Sequence, residues 1–192
     1  MQVKPISNRG SVVCRGCDSK NLVSILDLGE QPLPAEYGMH ADEVLDKFPL
    51  HLRICKSCGL GQLGEYVLPE RIFHETYPYL SSASEYWVNH ATNFAIEMVN
   101  KLSLNKESLV IELGGNDGYL LSQFQKLGVS VLNVEPPENT AEIARQAGVP
   151  TISKFFGVDL ANEILLEYGN PDLICVNNVY AHIPDQQDFT KG

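Results

Sequence analysis

Five cysteines stand among the 192 residues, and four of them come as two matched pairs, Cys14-Arg15-Gly16-Cys17 and Cys55-Lys56-Ser57-Cys58. A Cys-x-x-Cys turn puts both sulfurs on one side of the chain, near the ~2.3 Å ligand distance of tetrahedral zinc. Two such pairs supply four thiolates: Cys14, Cys17, Cys55 and Cys58. With four protein ligands no coordination position stays open, so the expected role of the metal is structural. Gly59 directly after Cys58 suits the tight knuckle behind the ligands. The 37 residues between the pairs exceed the ~15–20 of the common ribbon spacing. A loop of that length is acceptable because closure cost grows only slowly with length. Redox pairs or untied thiols are the alternatives. Two matched pairs with no cysteine between them favour zinc. Cys175 stands alone in an apolar run and reads as a small core residue.

A second feature is the run Val110-Ile111-Glu112-Leu113-Gly114-Gly115-Asn116-Asp117-Gly118-Tyr119-Leu120-Leu121, which reads as strand, glycine turn and helix. Glycines let backbone approach a ligand at the carboxyl end of a strand. Glu135 lies 21 residues after Gly114, at the end of the next strand, where an acid is placed to bind ribose hydroxyls. The loop departs from the dinucleotide pattern G-x-G-x-x-G. It reads E-x-G-x-x-x-G, with acids inside. Carboxylates at Glu112 and Asp117 repel a pyrophosphate and favour a cation. That points away from NAD and towards S-adenosylmethionine, whose sulfonium and amino groups are positive. A tight turn with no ligand is the bland alternative.

The surrounding elements must hold these groups in place. Residues 1–13 read as a loose lead-in. Leu28-Gly29, Gln31-Pro32-Leu33-Pro34, Tyr37-Gly38 and Phe48-Pro49 read as turns. Phe48 to Ile54 alternates apolar and polar residues and predicts a strand feeding the second cysteine pair. Residues 61–82 form a connector that includes Tyr77-Pro78-Tyr79-Leu80-Ser81-Ser82. Ser82 followed by Glu85 predicts a capping box. Trp87, Ala91, Phe94, Met98 and Leu102 then recur at helical spacing on one core-facing stripe. From residue 108, strands are expected at 109–111, 129–134, 151–153 and 172–176. Helices are expected at 119–127, 138–147 and 159–168. That alternation implies an α/β fold with a parallel sheet covered on both faces. The expected divisions are a zinc-binding domain over 1–70, a linker and capped helix over 71–106, and a cofactor domain over 107–192.

Bulk properties narrow the partners. The formal net charge of -10 opposes binding to phosphate backbones, so no nucleic-acid partner is expected. No apolar run approaches the ~20 residues needed to span a bilayer. Met1 to Val13 lacks the apolar region of a secretory signal. The expected location is cytoplasmic, with disulfides disfavoured.

In this order, the motifs look familiar. The cysteine pairs, Leu26-Asp27-Leu28-Gly29-Glu30-Gln31-Pro32-Leu33 and Cys58-Gly59-Leu60 resemble the zinc-binding N-terminal domain of sugar C-methyltransferases. Tyr77 to Ser82 resembles that family's linker. Glu112 to Gly118, Asn133-Val134-Glu135-Pro136 and Asn177-Asn178-Val179-Tyr180-Ala181-His182-Ile183-Pro184 resemble its cofactor motifs. The resemblance covers nearly the whole chain. It implies a small four-cysteine zinc domain followed by the first half of a Rossmann-like class I methyltransferase domain. It also implies methyl transfer from S-adenosylmethionine to a ring carbon, usually C3, of a nucleotide-linked 4-keto deoxysugar. Glu112, Gly114, Asn116, Asp117, Gly118, Glu135 and Asn177 would then serve the cofactor. His182, just past the fourth strand, suits general-base work because a neutral imidazole titrates near ~6.5. A linker tyrosine, Tyr79 in preference to Tyr77, would hydrogen-bond the developing oxyanion. A loop histidine without base chemistry and tyrosines that merely pack are the alternatives. Family members continue with more sheet and a C-terminal sugar-binding domain, so the chain is expected to be an N-terminal portion that is inactive alone. A methyltransferase for another small molecule, or a non-catalytic zinc module that mediates contacts, are the competing functions. The oligomeric state is left open.

Overall fold

The computed structural model describes residues 12–34, 36–38, 40, 42–64 and 67–192. The chain divides into two compact units: residues up to Ile72 with 183–187, and residues 73–182 with 188–192. The tyrosine connector and the helix after it therefore belong to the second unit. Most of the lead-in expected over 1–13 lies outside the described residues.

The first unit is a three-stranded antiparallel sheet in the order β1 (Leu22–Pro32), β2 (Lys47–Cys55) and β3 (Gly61–Leu63). The strand expected at 48–54 lies within β2. The long β1 overturns the expected turn at Leu28-Gly29 and takes up Gln31-Pro32, leaving only Leu33-Pro34 of the expected Gln31-Pro32-Leu33-Pro34 turn outside the strand. The pairing skips between Asp27 and Glu30, and Gly29 sits at φ +66° inside that irregularity. Asp27 Oδ1 accepts from Gly29 N at 2.9 Å. Turn chemistry is thus present, but it forms a bulge within a strand. β3 and the short helix α1 (Pro69–Ile72) fall in a stretch that reads as plain connector in the sequence.

The second unit is an α/β layer. Its strands are β4 (Leu109–Leu113), β5 (Ser130–Val134), β6 (Thr151–Ile152) and β7 (Leu173–Cys175). All three pairings are parallel, in the order β6-β5-β4-β7. Counted within the unit, that is third, second, first, fourth, the order of one half of a Rossmann-type sheet and its switch point. The helices are α2 (Glu85–Leu102), α3 (Leu121–Lys126), α4 (Glu138–Gln146) and α5 (Val158–Tyr168), and α6 (Gln186–Lys191) has its first two residues in the first unit and the rest in the second. The core joins Ala91 and Ala95 of α2, Val110 of β4, Leu121 and Phe124 of α3, Val131 of β5, Ala144 of α4, and Cys175. Trp87, Phe94 and Met98 pack against it, as the helical spacing predicts, but Leu102 is exposed. Cys175 is the core residue expected.

The start of α2 corrects the expected capping box. Residues 81–83 form a 3₁₀ turn, and the cap is Ser84, whose side chain accepts from Trp87 N at 3.3 Å. The backbone N–H of Ser82 is drawn instead to Asp117, so the helix begins two residues later. Among the described residues no helix is long and apolar enough to cross a membrane.

Candidate functional site

The metal centre is built by two knuckles. After the first pair, Asp18 N donates to Cys14 O and Cys14 N to Ser19 O. Around the second, Gly59 N donates to Cys55 O and Cys55 N to Leu60 O. Buried Gln62 of β3 binds the first knuckle from both ends of its amide: it accepts from Arg15 N and donates to Val13 O. The result brings Cys14 Sγ to 3.5 Å from Cys58 Sγ and Cys17 Sγ to 3.7 Å from Cys55 Sγ. All four sulfurs lie within 4.8 Å of one another. Sulfurs ~2.3 Å from a tetrahedral centre sit roughly 3.8 Å apart, so the donor set fits zinc in both chemistry and spacing. Burial raises the Cys55 thiol, but the amides of Cys58 and Ser57 and the neighbouring sulfurs outweigh it and bring it down to about 6. The Ser19 amide pulls Cys17 down, yet the sulfurs around it and burial push it up to about 12.

One other row in this unit has residue types that invite attention. Ser24 Oγ lies 2.7 Å from His51 Nε2, and His51 Nδ1 lies 3.5 Å from Asp27 Oδ2. Arg53 Nη2 also approaches Nδ1, at 3.3 Å. The row is a polar ladder across β1 and β2.

The glycine loop lies at the carboxyl ends of β4 and β5. Gly114 has φ +69°, and a Cβ on it would meet Val179 Cγ2 at 2.4 Å. A Cβ on Gly115 would meet Asn133 Oδ1 at 2.4 Å and Glu112 Oε2 at 2.9 Å. Beneath the loop, three buried acceptor atoms have no hydrogen-bond donor among the described residues: Glu112 Oε2, Asp117 Oδ1 and Asn133 Oδ1. Asn177 Nδ2 donates to the other Glu112 oxygen at 3.2 Å. Burial, only partly opposed by that bond and reinforced by Glu135 and Asp117, pushes the Glu112 carboxyl up to about 8. Burial likewise raises Glu135, against the bonds from Asn116 N and Thr140. In the folded chain Glu112 holds its proton at neutral pH, and a cation beside it would favour the ionised form, so together with Asp117 and Asn133 it fits a ligand that brings positive charge and N–H donors.

The other expected cofactor residues have more mixed duties. Both Glu135 oxygens already accept a bond at 2.9 Å, from Asn116 N and from Thr140 Oγ1, so this acid anchors the loop. A carboxylate still has lone pairs left for a hydroxyl donor. Gly118 faces Val149 and Ala144, where a Cβ would stand 3.0 and 3.3 Å away, so it secures close packing. Asn116 directs its side chain to the tyrosine connector, and so does one oxygen of Asp117. Asn133 falls within a motif that the sequence marks but not among the cofactor residues expected from it, and its amide donates to Asn116 O at 3.2 Å. A polar residue inside an otherwise apolar strand is the signal that marks it.

Tyr77 is half-buried and its phenol is raised by burial and by the charge of Glu135. Its ring centroid lies 5.4 Å from that of Phe73, which lies 6.0 Å from His182. Phe73, which no motif marks, thus stands between two of the expected catalytic groups. Tyr79 and His182 are exposed.

A family model described as a zinc binding domain matches residues 14–73, and one described as a methyltransferase domain matches residues 60–191. The C-methyltransferase NovU of Streptomyces niveus is 29% identical over 192 residues. That match covers 99% of this chain and 44% of NovU, so the chain spans less than half the length of this curated relative. Among solved structures, magnesium protoporphyrin IX methyltransferase (ChlM) from Synechocystis PCC 6803 with bound SAM is 17% identical. The match covers 60% of this chain and 56% of that chain, with a TM-score of 0.36.

Proposed function

This chain belongs to the methyltransferase-domain family, and on that premise we propose that it supplies the zinc-binding and cofactor-binding parts of an S-adenosylmethionine-dependent C-methyltransferase. The observation that carries the reading is the set of buried, donorless acceptors on Glu112, Asp117 and Asn133 beside a glycine loop. A sulfonium cofactor with an ammonium group answers both the charge and the missing donors. The likeness to NovU, named a C-methyltransferase, supports carbon as the methyl acceptor. The finer reading is a nucleotide-linked 4-keto deoxysugar methylated at a ring carbon, C3 first among them.

When bound, the cofactor supplies an electrophilic methyl group. The chain's residues do the rest. A ketone acidifies the neighbouring C–H, and His182 takes that proton, leaving an enolate on the sugar. Tyr79 or Tyr77 hydrogen-bonds the enolate oxygen. Burial, and then the charge of Glu135, raise the Tyr77 phenol, which keeps its proton available for this purpose. Glu112, Asp117 and Asn133 would hold the cofactor so that its methyl group could pass to the enolate carbon. The metal of the four-cysteine site takes no part in the chemistry, because its ligands are all protein thiolates.

Titration calorimetry of the full-length protein with S-adenosylmethionine, followed by its incubation with methyl-labelled cofactor and a panel of dTDP-4-keto sugars, tests both levels. Cofactor binding and label on a sugar carbon are expected. Absence of cofactor binding sinks the whole reading. Binding without transfer to any sugar, but with transfer to another small molecule, replaces the substrate.

A further inference from the structure

The connector between Phe73 and α2 is fastened to the cofactor loop by side chains, not merely laid beside it. Asn139 Nδ2 donates to Tyr77 O at 2.7 Å, and Asn116 Nδ2 to Tyr79 O at 3.0 Å. Ser81 N donates to Asn116 Oδ1 at 2.9 Å, and Ser82 N to Asp117 Oδ2 at 3.0 Å. The partners are 35 to 62 residues apart in sequence. Backbone groups of a surface connector ordinarily bond to water or to their own turn. Here four of them, in six consecutive residues, are claimed by three side chains of the loop and of the first turn of α4.

Asn116 holds the middle of this arrangement. Its backbone adopts φ +53°, which asparagine tolerates better than most residues. Its N–H is held by Glu135, its C=O by Asn133, and both ends of its amide by the connector. One residue therefore links the acid at the end of β5, the glycine loop and the tyrosines. Asn139 repeats the connection from α4, four residues past Glu135.

We propose that Asn116 and Asn139 are positioning residues that clasp the tyrosine connector to the cofactor loop, making cofactor binding and the placement of Tyr77 and Tyr79 one coupled event. The proposal rests on the reading that the loop takes S-adenosylmethionine. A ligand that steadies the loop then steadies the connector. By reciprocity, loosening the connector weakens the ligand by the same factor.

Hydrogen exchange at the Ser81 and Ser82 amides, with and without S-adenosylmethionine, reads the coupling, and calorimetry reads the affinity. The wild type is expected to show at least about tenfold slower exchange at both amides when the cofactor binds, within the ordinary range for coupled sites. Asn139→Ala and Asn139→Asp, which both lack the donor to Tyr77 O, are expected to lose most of that slowing. They should also bind cofactor about five- to tenfold more weakly. Asn139→Gln, which keeps the amide, is expected to recover part of both. Asn116→Gly keeps the positive φ, removes the amide and is expected to act in the same direction more strongly. Unchanged exchange of the β4 and β5 amides certifies that a variant is folded. Should Asn116→Gly fail that check, the Asn139 series decides. If the wild type binds cofactor but Ser81 and Ser82 exchange at the same rate with and without it, the clasp is overturned and the cofactor reading stands. The clasp is overturned in the same way if the Asn139 variants bind cofactor as tightly as wild type. If the wild type binds no cofactor, the cofactor reading falls and this coupling with it.

Discussion

The two units hold themselves together by different means. In the first, the buried apolar side chains among the described residues are few: Leu33, Phe48 and the cysteines Cys14 and Cys55. Ile25, Leu26, Leu28, Leu52 and Leu63 of its sheet are exposed. In the second, Val110, Leu120, Leu121, Phe124, Val131 and Val149 form a continuous core against α2 and α4. A three-stranded sheet this small cannot bury enough surface to offset its chain entropy, and a metal cross-link replaces the missing core. The parallel sheet needs no such help. It tolerates buried carboxylates under its glycine loop because the layers around them are already stable.

Removing the metal is the largest test of that contrast. Chelation under reducing conditions, or Cys55→Ser, is expected to abolish hydrogen-exchange protection across β1, β2 and β3, because binding energy at such a site is folding energy. Protection in β4 and β5 should persist. Simultaneous loss in both sheets would show that the second does not stand on its own core.

Phe124→Ala strikes the opposite unit. Phe124 is fully buried and meets Phe94 edge-on, with centroids 6.5 Å apart. Its truncation is expected to cost about 3–5 kcal/mol of denaturant stability, while the sulfur-bound zinc content stays stoichiometric by colorimetric assay.

A smaller effect comes from the buried acid. Glu112 keeps its proton up to about 8 in the folded chain, against an ordinary value of 4.5. Between those values the folded state holds more protons than the unfolded state, so stability falls as pH rises, by up to about 1.4 kcal/mol per pH unit, and levels off above them. Glu135, raised in the same direction, adds to the slope. Urea midpoints across that window should decline for wild type and flatten for Glu112→Gln. A slope that survives the substitution would assign the effect elsewhere.

The smallest expected change separates two serines. Ser84→Ala removes the cap of α2 and is expected to cost about 1 kcal/mol. If Ser82→Ala costs more, the capping box expected from sequence is restored. The Ser82 contact with Asp117 runs through its backbone and survives the change.

Much of this molecule is legible before it folds. The four thiolates declare themselves by residue type and local spacing, and the alternation of strands and helices from residue 108 onward is a matter of period and of glycine punctuation. The same local rules misread Leu28-Gly29, because a bulge and a turn use the same residues and only the partner strand distinguishes them. They also place the cap of α2 at Ser82, since nothing near that serine in sequence announces Asp117.

By itself, then, the sequence determined the metal ligands, the α/β layer and the acidic character of its glycine loop. Tertiary structure alone decided which partners the polar side chains of that loop take. It turned Gly118 to packing, Glu135 to anchoring the loop, and Asn116 and Asn139 to holding the tyrosines. The physical reason is the range of the interactions. Spacing and period report on neighbours within a turn or two, whereas a hydrogen bond across 35 or 62 residues exists only once the chain has brought its ends together.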